Sequence, residues 1–213
     1  MTKTSNYIIF KVMKDFQHFA GLLSILAGFS AFAYAVSFII ISRSNPEHGM
    51  LLSGMFLMFT GIFTTAPWVA IYERLKAEDS GFVLWVMLLG IVTSLGMVVH
   101  GGYDLANSIN PPAQNFSALA NLPSQIDPRG LLTFGIGGLS LLVLSWVMDR
   151  TKKFPRNLAY LGILSAILSL TLYYGRLIIL SPSNPVILYP ALLNGFIISP
   201  LFYLWLGMVL KKK

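Results

Sequence analysis

Residues 81–103 read GFVLWVMLLGIVTSLGMVVHGGY and contain no Asp, Glu, Lys or Arg. At a rise of about 1.5 Å per residue, a helix of this length crosses the roughly 30 Å hydrocarbon core of a bilayer. The rest of the chain agrees, because 55% of its 213 residues are hydrophobic and only 11% are charged. A soluble domain carries about 25% charged residues. The sequence therefore predicts a membrane protein.

Five further segments are long and apolar enough to cross a bilayer. The six predicted spans are 19–41, 50–71, 81–103, 130–148, 158–180 and 186–210. The first apolar run is too long for a secretory signal peptide, and no small-residue cleavage site stands out after it. We therefore predict an all-α fold, a six-transmembrane-helix bundle that forms a single integral membrane domain, 1–213, with an outer loop at 104–129.

The distribution of basic residues predicts the orientation. Six spans place both termini on one side, and that side holds twelve of the fifteen Lys and Arg residues. Because cytoplasmic loops are enriched in Lys and Arg, we expect both termini in the cytoplasm of a plasma-membrane protein. Anionic lipid headgroups at this face account for the net charge of +7 without a nucleic-acid partner. The tryptophans expected to anchor near the headgroups are Trp68, Trp85, Trp146 and Trp205.

Part of the chain is similar to another part. A shift of 139 residues aligns 17–46 with 156–185 without a gap, and both segments end in Ser-x-Ser-Asn-Pro. This predicts a parallel repeat of helices 1–2 and 5–6, although shared membrane-helix composition is an alternative explanation. Parallel repeats are found in small transporters, where the binding site lies between the repeated halves.

Three ionisable residues lie in, or at the edge of, the outer halves of the predicted spans, namely His100, Asp104 and Arg176. His100 and Asp104 are four residues apart and therefore share a helix face. An Arg176–Asp104 ion pair could fasten helix 3 to helix 5. Alternatively, the three residues could form an outward-facing polar pocket for a small polar or anionic ligand, since charges within a membrane usually face an interior, or could simply reach the outer interface. Further candidates for this pocket are Tyr173, Tyr174 and Asn194.

Catalytic, metal and haem sites are disfavoured. The chain has no cysteine, and it contains no HExxH motif, no Ser/His/Asp set at one membrane level and no paired acids within a span. Glu47 and His48 could join His100 and Asp104 around a metal, but no recognised ligand spacing is present. His18 and His100 fall at opposite ends of their spans and cannot share a haem. We therefore predict no enzyme activity, no metal and no cofactor.

Residues 154–164 read FPRNLAYLGIL and open the fifth span after a basic loop. This segment resembles a motif of a bacterial family of small polytopic membrane proteins, catalogued as the domain of unknown function number 4386. The 130–148 helix and the closing Leu-Trp-Leu-Gly helix with its lysines are similar in pattern, so the resemblance covers mainly the C-terminal half. It implies a bacterial plasma-membrane protein, and it carries no activity or site residues.

Two functions compete after an enzyme is set aside. The repeat and the polar trio favour the binding or transport of a small polar or anionic ligand. The alternative is a non-catalytic accessory or regulatory subunit that binds other membrane proteins through its lipid-facing surfaces and loops.

Overall fold

The protein is a bundle of six long helices in the computed structural model, which describes residues 3–110, 126–181 and 183–212, with side chains from Asp15 onward. No strand occurs in this part of the chain. The helices able to span a membrane are α1 (Asp15–Ser44, continuing a helix that begins at Lys3), α2 (Pro46–Leu75), α3 (Ser80–Ile109), α4 (Pro128–Thr151), α5 (Arg156–Ile178) and α6 (Pro185–Lys211). The predicted six-helix, multi-pass membrane fold is confirmed.

The helices differ from the predicted spans mainly in length. α3 continues to Ile109, so Asp104 lies in the helix and not in a loop. The central part of the predicted outer loop, 111–125, lies outside the described residues. Helices exceed the apolar runs because polar residues that follow an apolar stretch can still extend the same hydrogen-bonded ladder.

Local capping explains the repeated Ser-x-Ser-Asn-Pro ending. The Oδ1 of Asn45 accepts a hydrogen bond from the backbone N–H of His48 at 3.1 Å. The Oδ1 of Asn184 accepts one from the N–H of Val186 at 3.0 Å. In both places Pro is the first helical residue, where its missing N–H costs nothing. The two turns thus use the same chemistry, and the duplication itself remains a prediction.

The six helices form a closed ring in chain order. Each helix packs on the next, and α6 packs back on α1. α4 packs on both α3 and α5, which make no extensive contact with each other. A Cβ added at Gly54 would lie 2.9 Å from the carbonyl oxygen of Gly101, and one at Gly207 would lie 2.5 Å from that of Gly21. Glycine therefore permits the close α2–α3 and α1–α6 approaches.

One end of the ring gathers basic residues and is called the basic end. Arg150 pairs with Asp79, and the Nζ of Lys153 lies 3.0 Å from the Oε1 of Glu78. These ion pairs join the α2–α3 turn to the α4–α5 turn. Lys211, at the end of α6, lies at the same end, since its side chain contacts α1 beside Gly21.

The interior of the basic end is filled by a hydrophobic core to which every helix contributes. Its members include Ala20, Ile71, Leu75, Val83, Val86, Leu144, Met148, Leu158, Phe202 and Leu206. Arg74 closes this end, because its guanidinium lies 4.8 Å from the centre of the Phe154 ring and donates to the carbonyl oxygen of Val209 at 3.3 Å.

The prediction for the tryptophans is wrong for Trp68. Its indole is only 6% exposed and packs directly on Gly90 of α3. Trp85 and Trp146 are 44% and 45% exposed, as residues that anchor in headgroups must be. Because Gly90 has no side chain, the Trp68 ring can pack directly against α3, a contact that the sequence pattern alone did not indicate.

The other end of the ring, called the polar end, comprises the α1–α2 and α5–α6 turns and residues 126–130. The hydrophobic core does not extend to it, since the core members of α3 lie at 83–86 and those of α6 at 202–210. Polar side chains occupy the interior at this end, and they form the candidate site.

Candidate functional site

His100 of α3 lies between two carboxylates. Its Nε2 is 3.3 Å from an oxygen of Asp104, one helical turn later, and its Nδ1 is 3.6 Å from an oxygen of Asp127, just before α4. The imidazole is only 16% exposed. Its Nδ1 is buried and has no hydrogen-bond partner among the residues that the structure describes. His100 therefore links α3 to the start of α4, and both of its ring nitrogens face negative charge.

Asp127 is a site residue that the sequence analysis did not identify. Its carboxylate is buried and accepts hydrogen bonds from the backbone N–H groups of Leu132 and Thr133, at 2.7 and 3.1 Å, and from the hydroxyl of Thr133 at 2.6 Å. Burial by itself would raise the pKa of this carboxyl. The contact with His100 and the three hydrogen bonds outweigh burial and hold the pKa below its ordinary value.

A turn of unusual backbone conformation brings Asp127 over the start of α4. Arg129 and Gly130 both have positive φ, 59° and 80°. The chain thus folds back so that the carboxylate reaches N–H groups five and six residues ahead. Gly130 has a second constraint, because an added Cβ would lie 2.4 Å from the Phe134 ring and 3.3 Å from a guanidinium nitrogen of Arg176. The sequence signal for this cap is an Asp immediately before a helix-opening Pro.

Arg176 lies in the last turn of α5, half-buried, with its guanidinium 5.6 Å from the centre of the Phe134 ring. No carboxylate among the described residues lies within 4.0 Å of it. Residues 111–125 contain no Asp or Glu that could serve instead. The predicted Arg176–Asp104 ion pair is therefore wrong. Asp104 contacts His100, and α4 packs on both α3 and α5.

Arg176 and Tyr34 belong to the same region as the two carboxylates. A guanidinium nitrogen of Arg176 lies 3.3 Å from the position of a Cβ at Gly130, whose N–H donates to the backbone carbonyl of Asp127. The Tyr34 phenol of α1 interacts electrostatically with Arg176, Asp104 and Asp127. These residues come from α1, α3, α5 and the start of α4, which are four different parts of the ring. The polar end thus contains a single cluster of His100, Asp104, Asp127, Tyr34 and Arg176, which we call the polar cluster.

The two tyrosines predicted beside Arg176 have different surroundings. Tyr173 packs on α4, where a Cβ added at Gly135 would lie 3.1 Å from its ring. Tyr174 is 57% exposed, with its ring centre 5.3 Å from that of Tyr173. Tyr173 thus supports the α4–α5 contact beside Phe134, whereas Tyr174 lies on the exposed surface of α5.

Asn194 is separate from the polar cluster. It is 6% exposed, accepts a hydrogen bond from the hydroxyl of Ser165 at 2.8 Å and donates one to the hydroxyl of Ser169 at 3.0 Å. Ser169 precedes Arg176 by seven residues, which is about 10 Å along a helix. Asn194 thus links α6 to α5 deeper in the bundle, at the start of a π-helical turn, Asn194–Ile198.

The polar cluster is suited to holding a proton and an anion. No three His, Asp or Glu side chains in the described ranges converge as metal ligands. The two carboxylates contact different ring nitrogens of His100, so they approach it from different directions and do not share one coordination point with it. Arg176 adds hydrogen-bond donors in a fixed planar fork.

The chain matches no family model, no curated protein and no solved structure.

Proposed function

We propose that this membrane protein binds a small anionic solute at the polar end of the helix ring, with Arg176 as the anion-binding group. The proposal includes the orientation in which the polar end faces outward and both termini lie in the cytoplasm of a bacterial plasma membrane. Residues 154–164 support a bacterial origin only through the resemblance described above. The observation that carries the proposal is the half-buried guanidinium of Arg176, which has no carboxylate partner among the described residues.

Charge pairing at the two ends of the ring differs. At the basic end, each acidic residue of the two turns has a basic partner. These pairs are Glu73–Lys76, Glu78–Lys153, Asp79–Arg150 and Asp149–Arg156. At the polar end, the Arg176 guanidinium lies beside the Phe134 ring and forms no ion pair within the part of the chain that the structure describes. A cation in a membrane domain is costly unless a counter-charge or water compensates it, and a bound anion would provide that counter-charge.

The surroundings of Arg176 favour a small, singly charged ligand. The Phe134 ring lies against the guanidinium, and the N–H groups at the edge of this planar group are suited to bidentate binding of a carboxylate or similar oxyanion. Asp104 and Asp127 lie within the same cluster and repel additional negative charge. A ligand with one negative charge satisfies Arg176 with less repulsion than a di- or trivalent anion.

Binding can be tested by calorimetry on the protein in lipid nanodiscs with acetate, methanesulfonate, succinate and phosphate as probes. We expect the monovalent anions to bind and to raise the melting temperature by mass action. Arg176→Gln should weaken binding at least tenfold. Arg43→Gln is the matched control, because Arg43 is an exposed arginine at the same end of the bundle, and it should bind as the wild type does.

Two results would overturn the assignment of Arg176. One is the absence of binding for all four anions at millimolar concentration. The other is an equal loss of affinity in the Arg176→Gln and Arg43→Gln variants, which would indicate a general charge effect. Absence of binding together with stoichiometric co-purification of another membrane protein would favour the accessory-subunit alternative. Uptake of the bound anion into proteoliposomes would identify a carrier.

A further inference from the structure

We propose that His100 is a proton-binding site coupled to the anion site, so that a proton at His100 and an anion at Arg176 bind together. This inference rests on the proposed function of Arg176 and adds the coupling ion. It predicts that the ligand class is a monovalent anion taken up with one proton, as a net neutral pair.

The first argument is the hydrogen-bonding capacity of imidazole. A neutral imidazole donates from one nitrogen only, whereas the imidazolium donates from both. Both nitrogens of His100 face carboxylate oxygens, at 3.3 Å for Asp104 and 3.6 Å for Asp127. In the neutral form, one carboxylate must therefore face a nitrogen lone pair. The buried Nδ1 without a hydrogen bond is the atom at which a proton gains a partner.

The groups around His100 favour this role. Asp104 comes from its own helix and Asp127 from the start of α4, and the Tyr34 phenol of α1 and Arg176 of α5 lie in the same cluster. On the α2 side, the residues packed against α3 next to His100 are Gly54 and Met58, neither of which titrates. The nearest charges are thus both negative.

A short chain of contacts joins the two sites. The carboxylate oxygen of Asp127 that faces His100 also accepts the hydrogen bonds from the N–H and hydroxyl of Thr133. The next residue, Phe134, provides the ring beside the Arg176 guanidinium. A hydrogen bond from the imidazolium Nδ1–H to Asp127 would therefore act on the segment that positions Arg176.

Charge balance gives the sign of the coupling. Protonation of His100 adds one positive charge between Asp104 and Asp127, in the same cluster as Arg176. The added charge lowers the electrostatic cost of an incoming anion, whatever the contribution of Arg129 in the neighbouring turn. Anion affinity should therefore rise as the pH falls through the titration of His100, by on the order of tenfold. By reciprocity, the anion should raise the proton affinity of His100 by the same factor.

Calorimetry with methanesulfonate and acetate in two buffers of different ionisation enthalpy measures the number of protons bound with each anion. Because methanesulfonate does not titrate between pH 5 and 10, any proton taken up on binding is bound by the protein and not by the anion. We expect a net uptake that approaches one proton per anion on the alkaline side of the His100 titration. Selective ¹⁵N-histidine NMR locates that titration, with His100→Gln identifying the resonance among the three histidines.

His48→Gln serves as the matched control, since His48 is exposed at the same end of the bundle, and it should retain both the anion affinity and the proton uptake. His100→Gln should bind the anion with an affinity independent of pH. Anion binding with no proton uptake in the wild type would overturn the coupling while leaving Arg176 as the anion site. A His100 resonance that does not titrate between pH 5 and 10 would do the same. Failure of every anion to bind would instead remove the proposed function itself.

Discussion

Replacement of Asp127 by alanine tests whether this carboxylate holds the start of α4 in place. The variant leaves the N–H groups of Leu132 and Thr133 and the Thr133 hydroxyl without the acceptor they have at 2.6 to 3.1 Å. Loss of an N-cap costs about 1 kcal/mol, up to 2, and each buried donor left unsatisfied costs about 1–3 kcal/mol. Since the threonine hydroxyl can rotate to another acceptor, we expect a loss of about 3 kcal/mol in the free energy of unfolding.

SDS-induced unfolding in mixed micelles, followed by circular dichroism, measures this loss. Asp79→Ala is the control, because Asp79 caps α3 through a single, longer hydrogen bond of 3.4 Å from Phe82. Its carboxylate is 22% exposed and also pairs with the more exposed Arg150. Since water can replace the carboxylate, the lost cap and ion pair together should cost about 1–2 kcal/mol. Equal losses in the two variants would refute the argument that burial makes Asp127 the stronger cap.

The stability that the Asp127 carboxylate contributes depends on pH, and the sign of this dependence is defined. The native pKa of Asp127 is held below its ordinary value of 3.8, so the ionised carboxylate stabilises the folded state above that value. Its contribution disappears as the pH falls further, through the native pKa. The stability difference between the wild type and Asp127→Asn should thus stay constant from neutral pH to about 5 and shrink below about 4. A difference that grows in acid would contradict the direction of the pKa shift.

Three further predictions concern packing and orientation. Asn194→Ala should lower the free energy of unfolding by about 1–2 kcal/mol in the same assay, since a membrane interhelical hydrogen bond contributes about 0.6 kcal/mol on average and the cavity adds to it. Gly90→Ala should cost about 2–3 kcal/mol because its Cβ would meet an indole ring at 2.2 Å, whereas Gly81→Ala, with nothing within 4 Å, should be neutral or stabilising. Since the chain has no cysteine, labelling of intact cells with a membrane-impermeant maleimide should modify Glu47→Cys and spare Lys212→Cys; the reverse pattern would invert the proposed orientation.

The fold could be predicted from sequence because a membrane span depends on length and hydropathy, which are local properties. Residues 81–103 and four of the other apolar segments lie wholly within a helix of the bundle, and the segment 158–180 extends two residues past the end of α5. The ends were harder to predict. Ile109 still belongs to α3, since a helix continues past the end of its membrane-spanning apolar run until a cap or a Pro stops it.

The candidate site could be predicted only in part. The four-residue spacing of His100 and Asp104 correctly indicated a shared face, and the two side chains are in contact. Their depth also matched that of Arg176, but depth along a helix does not determine which helices are neighbours. α4 packs on both α3 and α5, and this arrangement depends on contacts that no single segment encodes.

Asp127 was missed for a different reason. Its role depends on two consecutive residues, Arg129 and Gly130, in the left-handed conformation, which folds the carboxylate back over α4. Only the Gly suggests such a turn, since Arg seldom adopts it. Asn194 was predicted to belong to the site because of its polarity, but it does not. It lies away from the polar end along the helix and bonds Ser165 and Ser169 in the α5–α6 contact.

The ring order also has a consequence for biosynthesis. Each helix from α2 to α6 packs on the segment made just before it, so five of the contacts can form while the ribosome is still at work. The contact between α6 and α1 cannot form until α6 has been made. In this contact the Ser24 hydroxyl donates to the Tyr203 carbonyl at 2.7 Å, and Gly21 packs against Gly207. Until the last segment enters the bilayer, the nascent chain is an open arc in which the faces of α1 and α5 that pack on α6 remain uncovered.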